Sequence, residues 1–239
     1  MPATAPLDTT AAAHALTAGR AAVLPNPSPL TYVVTATTPH AVNNAKGRPA
    51  GQEVALWVHD DTTWTDLTTH LDLAPTARRT ATTLLRDHLV TLLVPVRTHT
   101  PPPAWTTPAL RDGHLLLYGA RWQPLTPLLD RFPRLYVSSA NRTGHPPAAT
   151  APQATAMFGL DTPVTDADTL RHTDAPHAAT TMLRITPDGD LAHIRHGAQD
   201  QAHGSDPNRY LNHLREATTQ AAPRPRDQST RPSPLQLHP

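Results

Sequence analysis

Proline falls 28 times in this 239-residue chain, and much of it stands with Thr between apolar runs. Proline fixes φ and carries no amide hydrogen, so it is excluded from helix interiors and central strands. Each cluster therefore marks a turn or the end of an element, and the fold must be assembled from short pieces.

Those pieces alternate in type. Residues 8–19 read as a helix with Thr9 or Thr10 as its cap and Gly19 as its stop. Ala21 to Leu24 reads as a strand stopped by the loop Pro25-Asn26-Pro27-Ser28-Pro29, and Leu30 to Thr35 as a second strand. A short helix over Pro39 to Ala45 leads into Lys46-Gly47-Arg48-Pro49. Glu53 to Val58 is a strand with Val54, Leu56 and Val58 on one face. Helices follow over Thr62 to His70 and Thr76 to Asp87, then a buried strand over Leu89 to Val96.

After a Pro-rich loop from Thr98 to Pro108 come a strand at Leu115 to Tyr118, a helix at Pro124 to Phe132 and a buried strand at Leu135 to Ser138. Pro152 to Phe158 is a helix. Thr181 to Ile185 and Leu191 to Ile194 form a hairpin about Pro187-Asp188-Gly189. Pro207 to Thr218 is a helix capped by Ser205 or Asp206, and the Pro- and Arg-rich stretch from Ala221 is expected to be disordered. The expected fold class is α/β: a twisted, open, mixed sheet flanked by helices. The expected division is a domain over 1–200, a C-terminal helix over 201–220 and a tail over 221–239.

There is no cysteine, which excludes disulfides and thiolate metal sites. Net charge is +1, so no general attraction to nucleic acid follows from the total. No apolar run reaches the roughly 18 residues of a membrane span. No basic patch followed by an apolar stretch marks a secretory signal, and the cytoplasm is the default location. P-loop, dinucleotide-binding and nucleophile-elbow motifs are all missing.

Three segments carry candidate chemistry. Of the 20 basic residues only Lys46 is a lysine. In a chain so averse to lysine, its retention suggests a compact point charge where the planar fork of Arg does not fit. In Lys46-Gly47-Arg48-Pro49 the two cations flank a glycine and can turn to one anion, although an ordinary basic turn after a helix has the same residues. The second segment is Ser138-Ser139-Ala140-Asn141-Arg142-Thr143-Gly144. It follows a buried strand, where α/β sheets hold ligands, and its groups suit phosphate, ribose or base edges or a self-bonded polar turn. The third is His193-Ile194-Arg195-His196-Gly197. Arg195 could reach a phosphate; the two histidines lack an acidic partner set, so no metal site is expected there.

In this order the segments resemble the YrdC-like threonylcarbamoyl-adenylate synthases, from roughly Ala11 to Gln199. Lys46-Gly47-Arg48-Pro49 is similar to the family's Lys-x-Arg-Pro, and Ser139-Ala140-Asn141-Arg142-Thr143-Gly144 to its Ser-Ala-Asn-x-Ser-Gly. Thr180-Thr181-Met182 falls at the Ser-Thr-Val strand and Arg195-His196-Gly197 at the closing Arg-x-Gly. The resemblance implies a concave positive cavity in which ATP, L-threonine and bicarbonate give threonylcarbamoyl-AMP and pyrophosphate, with Mg²⁺. The product would serve threonylcarbamoyladenosine formation in tRNA, through downstream tRNA-modifying proteins.

It also implies residue roles. Lys46 and Arg48 would be the catalytic cations. Ser139, Asn141, Thr181 and Arg195 would bind the nucleotide. Asn26, Ser28 and Tyr32 would form the substrate loop.

The departures concentrate on the amino-acid side. The family's Pro-Thr-Asp-Thr-x-Tyr-Gly loop is replaced by Pro25-Asn26-Pro27-Ser28-Pro29-Leu30-Thr31, with Pro27 for the acid and no Gly. Asp87-His88-Leu89-Val90-Thr91 stands at the Pro-Gly-Pro-x-Thr stretch, and Gly119 at the strand Arg, with Arg121 as a substitute two positions on. The expectation is a diverged synthase, or one using another amine. The alternative is a degenerate paralogue that binds a nucleotide or double-stranded RNA without catalysis.

Overall fold

The computed structural model describes residues 7–26, 31–119, 121–170, 177–204 and 206–220. Ser28, Ser205 and the stretch from Ala221 lie outside the described residues. The strands are β1 (Ala22–Asn26), β2 (Thr31–Ala36), β3 (Ala55–Trp57), β4 (Thr91–Pro95), β5 (Leu110–Arg111), β6 (His114–Tyr118), β7 (Tyr136–Ser139), β8 (Met182–Ile185) and β9 (Leu191–Arg195). The helices are α1 (Thr10–Thr17), α2 (Pro39–Ala45), α3 (Asp61–Thr68), α4 (Pro75–Arg86), α5 (Thr126–Leu129), α6 (Ala151–Phe158), α7 (Ala198–Gln201) and α8 (Pro207–Gln220).

One nine-stranded sheet runs in the order β1-β2-β7-β3-β6-β4-β8-β9, with β5 also on β6. β3 with β6 and β4 with β8 are parallel; the other pairs are antiparallel. The expected mixed α/β sheet is therefore the observed one. Three helices start at a side-chain cap: Thr38 Oγ1 accepts from Ala41 N, Asp60 Oδ1 from Thr63 N and Thr150 Oγ1 from Gln153 N. The cap expected from Thr9 or Thr10 on α1 is not made; Asp8 Oδ1 accepts from Thr10 N instead. Pro39 and Pro75 stand in first turns, where no amide hydrogen is missed.

The alternation in β3 divides the core. Val54, Leu56 and Val58 join a cluster with Leu67, Leu84, Leu92, Leu117 and Leu183, into which Tyr210, Leu211 and Leu214 of α8 also pack. Ala55 and Trp57 face the other way, into a cluster with Leu16 of α1 and Leu128 and Leu129 of α5. Both faces of the sheet are thus covered, and the C-terminal helix belongs to the same core as the rest.

Three departures from the sequence reading have a clear physical cause. β1 continues through Pro25 and Asn26 because it is an edge strand, where a missing amide hydrogen breaks no ladder. Pro25 pairs with Tyr32 and Asn26 with Thr31. The Pro-rich loop ends in a 3₁₀ segment, Ala104–Ala109, that feeds β5, which was too short to show as an apolar run. The helix expected over Pro124 to Phe132 is a 3₁₀ turn, Gln123–Leu125, followed by one turn of α5. Among the described residues no helix is long and apolar enough to cross a membrane.

Candidate functional site

A cavity of about 380 Å³ opens on the sheet face that carries Val33, Ala55, Val137 and Tyr118. Around these apolar residues stand Asn26, Tyr32, Lys46, Arg48, Glu53, Ser139, Asn141, Thr180 and Arg195. The volume lies in the range of small-molecule sites.

Lys46 closes α2 and is 6% exposed. Gly47 follows at φ +63°, the left-handed conformation that ends a helix and that other residues adopt only under strain. The turn points the Lys46 ammonium at the Ser139 carbonyl and at Asn141 Oδ1, 2.9 Å away. Among the described residues no carboxylate pairs with it. Burial, with the nearby Arg48 charge, brings its pKa down to about 7.

Asn141 holds the opposing loop together. Its Oδ1 also accepts from Ser139 Oγ at 2.6 Å, and its Nδ2 donates to the His145 carbonyl at 2.9 Å. The Ser-Ala-Asn segment is thus both a self-bonded turn and a cavity wall.

Arg48 is anchored by a residue the sequence reading passed over. Asn43, fully buried on α2, accepts from Arg48 Nε at 2.6 Å and donates to the Ala50 and Gln52 carbonyls at 2.9 and 2.8 Å. A polar residue on the inner side of a short helix, five positions before an Arg, was the available signal. Asn43→Ala is expected to cost about 2 kcal/mol, since it removes a fully buried side chain that ties Arg48 to the Ala50 and Gln52 carbonyls. A urea unfolding midpoint unchanged by the substitution would contradict this.

On the far wall Arg195 donates from a terminal nitrogen to the Thr180 carbonyl at 2.9 Å, and burial lowers its pKa. Thr180 lines the cavity, and its hydroxyl accepts from Asn26 Nδ2 at 3.1 Å. Thr181 is not among the lining residues. Its hydroxyl donates to Asp200 Oδ1 at 2.8 Å, beneath the cavity wall. Neighbouring residues of extended chain face opposite ways, so a one-residue shift moves the hydroxyl that reaches the cavity.

The substrate-side residues divide similarly. Asn26 is 1% exposed, and its Oδ1 has no partner among the described residues. Tyr32 lines the cavity, but its hydroxyl donates to Asp168 Oδ1 at 2.9 Å and accepts from Ala167 N at 3.2 Å. Desolvation, ahead of the Asp168 contact, raises its pKa.

Arg121 does not replace the missing strand Arg. Its guanidinium donates to Asp61 Oδ1 at 2.9 Å, a carboxylate that also binds Arg86. At Gly119 a Cβ would lie 2.3 Å from the Leu85 carbonyl oxygen, so the backbone of α4 excludes any side chain there. The histidines of the third segment do have an acidic partner, contrary to expectation. α7 brings Asp200 Oδ2 to 2.7 Å from His193 Nε2 and 2.6 Å from His196 Nδ1.

No protein-family model matches the sequence, and no curated protein sequence matches it significantly. Solved structures do. Sua5 of P. abyssi, complexed with L-threonine, superposes with a TM-score of 0.58 at 17% identity over 78% of this chain and 53% of that one. Full-length HypF in its phosphate- and nucleotide-bound form gives 0.57 at 14%, over 79% of this chain and 29% of that one. YciO of E. coli gives 0.53 at 14%, over 78% and 87%. The chain thus spans about half the length of the Sua5 protein and less than a third of HypF. Sheet, cavity and superpositions agree that this chain has the YrdC-like fold, widely diverged in sequence from the solved structures that share it.

Proposed function

We propose that the protein is a YrdC-like nucleotidyltransferase that binds ATP in the 380 Å³ cavity and adenylates a carbamoylated amine. The observation that carries this reading is the convergence of Lys46, Arg48 and Arg195 with Ser139 and Asn141 on one cavity. Three cations face one acidic lining residue, Glu53, which suits a polyanion. One structural neighbour is complexed with L-threonine and another is bound to phosphate and nucleotide, which supports the same ligands here.

In this reading bicarbonate and the amine lose water to form a carbamate. A carbamate oxygen attacks the α-phosphorus, the bond to the bridging oxygen breaks, and pyrophosphate leaves. Lys46 and Arg48 hold the charge that builds on the transferring group, and Arg195 holds the polyphosphate. Glu53 would hold Mg²⁺ together with the phosphates, the usual donor set for that ion, and Mg²⁺ would add charge neutralisation. Catalysis is then positioning and electrostatics, with no covalent nucleophile. L-threonine is the first amine to test, with threonylcarbamoyl-AMP as product and a tRNA-modifying partner as its consumer.

The Tyr32 hydroxyl, committed to Asp168, favours a second reading in which nucleotide or double-stranded RNA binds without turnover. Incubation with ATP, bicarbonate, Mg²⁺ and each amino acid in turn separates the two. Pyrophosphate release dependent on one amine is expected. ATP binding with no release for any amine would leave only the second reading.

A further inference from the structure

We propose that His193, His196 and Asp200 form a binding site for one divalent transition-metal ion of the Zn²⁺ type, built into the wall that carries Arg195. The three ligand atoms lie within 4.8 Å of one another. His193 comes from β9, His196 from the turn after it and Asp200 from α7, so the site joins three consecutive pieces of backbone.

The carboxylate is prepared as a ligand. Asp200 Oδ1 is taken by the Gly197 amide at 2.7 Å and the Thr181 hydroxyl at 2.8 Å, which fixes its plane. Oδ2 faces both imidazoles. Burial opposes its charge, but the Gly197 amide, the Thr181 hydroxyl and the two rings outweigh burial and lower its pKa. Such outer bonds on a ligating carboxylate are what hold it in one orientation.

The donor set selects the ion. Two imidazole nitrogens and one carboxylate oxygen suit Zn²⁺ and its neighbours in the first transition row, whereas Mg²⁺ and Ca²⁺ prefer oxygen alone. Ligands about 2.0–2.2 Å from a tetrahedral ion stand roughly 3.3 Å apart, so the present contacts must open by about 0.6 Å. His196 can supply that movement, because its side chain is 58% exposed while His193 and Asp200 are 9% and 1% exposed. The same exposure leaves the fourth position to water. To ligate, each imidazole must present a lone pair at the nitrogen that now faces Asp200 and carry its proton on the other ring nitrogen, so protons compete with the ion.

The ion would act on the cavity through Arg195, which lies between the two histidine ligands in sequence and donates to the Thr180 carbonyl. Binding there fastens the end of β9 to α7 and holds that wall in place. The proposal is independent of the adenylation reading, since it predicts metal uptake with no nucleotide present.

The test uses the full chain without a histidine tag, stripped with EDTA and then titrated with Zn²⁺ by calorimetry and with Co²⁺ by visible absorption. One equivalent is expected, with the intense d–d bands of a tetrahedral Co²⁺ centre and a melting temperature raised by several degrees. His196→Ala removes a largely exposed side chain and should fold, yet weaken uptake about tenfold or more. His193→Gln should do the same. His213→Ala should leave uptake unchanged; its ring stacks 4.5 Å from that of His203 in a separate histidine cluster. No stoichiometric uptake, or uptake indifferent to His196→Ala, would overturn the proposal.

Discussion

Replacing Lys46 by Met is expected to make the protein more stable and to weaken ATP binding by about 1.5–3 kcal/mol, roughly tenfold to a hundredfold. The stability gain follows from burying a cation that has no counter-ion among the described residues. Lys46 titrates at about 7 in the folded chain against 10.5 in the unfolded one, because of burial first and the Arg48 charge second. That difference corresponds to roughly 5 kcal/mol of opposition to the charged form. Losing the hydrogen bonds to the Ser139 carbonyl and Asn141 offsets about 3 kcal/mol, which leaves a net gain near 2 kcal/mol.

The pH dependence has a definite sign. Below about pH 7 both states hold the Lys46 proton, and the full cost of burying the charge is felt. From about 7 to 10.5 the unfolded chain holds a proton that the folded chain does not, so stability contributed by this group rises with pH. The advantage of Lys46→Met should therefore be largest at or below neutrality and fade towards pH 10. Ligand binding runs the opposite way. A polyphosphate favours protonated Lys46, so ATP affinity should be greatest at or below pH 7 and fall by up to tenfold per unit above it. Calorimetric titration across pH 6 to 9 checks this; a flat profile would place the phosphates elsewhere.

Gly197→Ala should destabilise the protein by about 3 kcal/mol. The cause is not torsional, since Gly197 is in extended backbone at φ −154°. A Cβ there would lie 2.2 Å from the Thr181 nitrogen, 2.4 Å from the Ala179 oxygen and 2.5 Å from the Thr180 carbonyl carbon. All three are backbone atoms in packed structure and cannot swing aside as a side-chain tip would. The displaced turn would carry Arg195 with it and pull the Gly197 amide from Asp200, so ATP affinity should fall too. Gly51→Ala is the control: a Cβ at Gly51 meets nothing within 4 Å. Equal urea midpoints for the two variants would refute the steric account.

The elements legible in the sequence were those whose signals are local. The span of α2 between Pro39 and Ala45, the Pro187-Asp188-Gly189 hairpin and the period-2 burial of Val54, Leu56 and Val58 depend on nearby residues alone. Motif order also placed Lys46, Arg48, Ser139, Asn141 and Arg195 together, and all five line the cavity. What stayed hidden depends on which way a side chain turns or on what lies opposite. Thr180 and Thr181 are identical in type, and only the strand register sends one to the cavity and the other to Asp200. Asp200 lies three residues beyond the His193 to Gly197 segment and meets His193 only because α7 folds back on β9. Nothing in the sequence around Gly119 announces that Leu85 crosses it.

The position of β7 sets an order of assembly. β7 lies between β2 and β3, although about a hundred residues separate its residues from those of β2. A chain still emerging during synthesis cannot close this part of the sheet until Tyr136 to Ser139 are available, and until then β2 and β3 each present an unpaired edge. Such long-range pairing slows folding. The Lys46 ammonium has neither hydrogen-bond acceptor before the same segment and Asn141 arrive. The anion site is therefore a late product of folding, and truncated or stalled chains should expose sticky strand edges before they can bind any ligand.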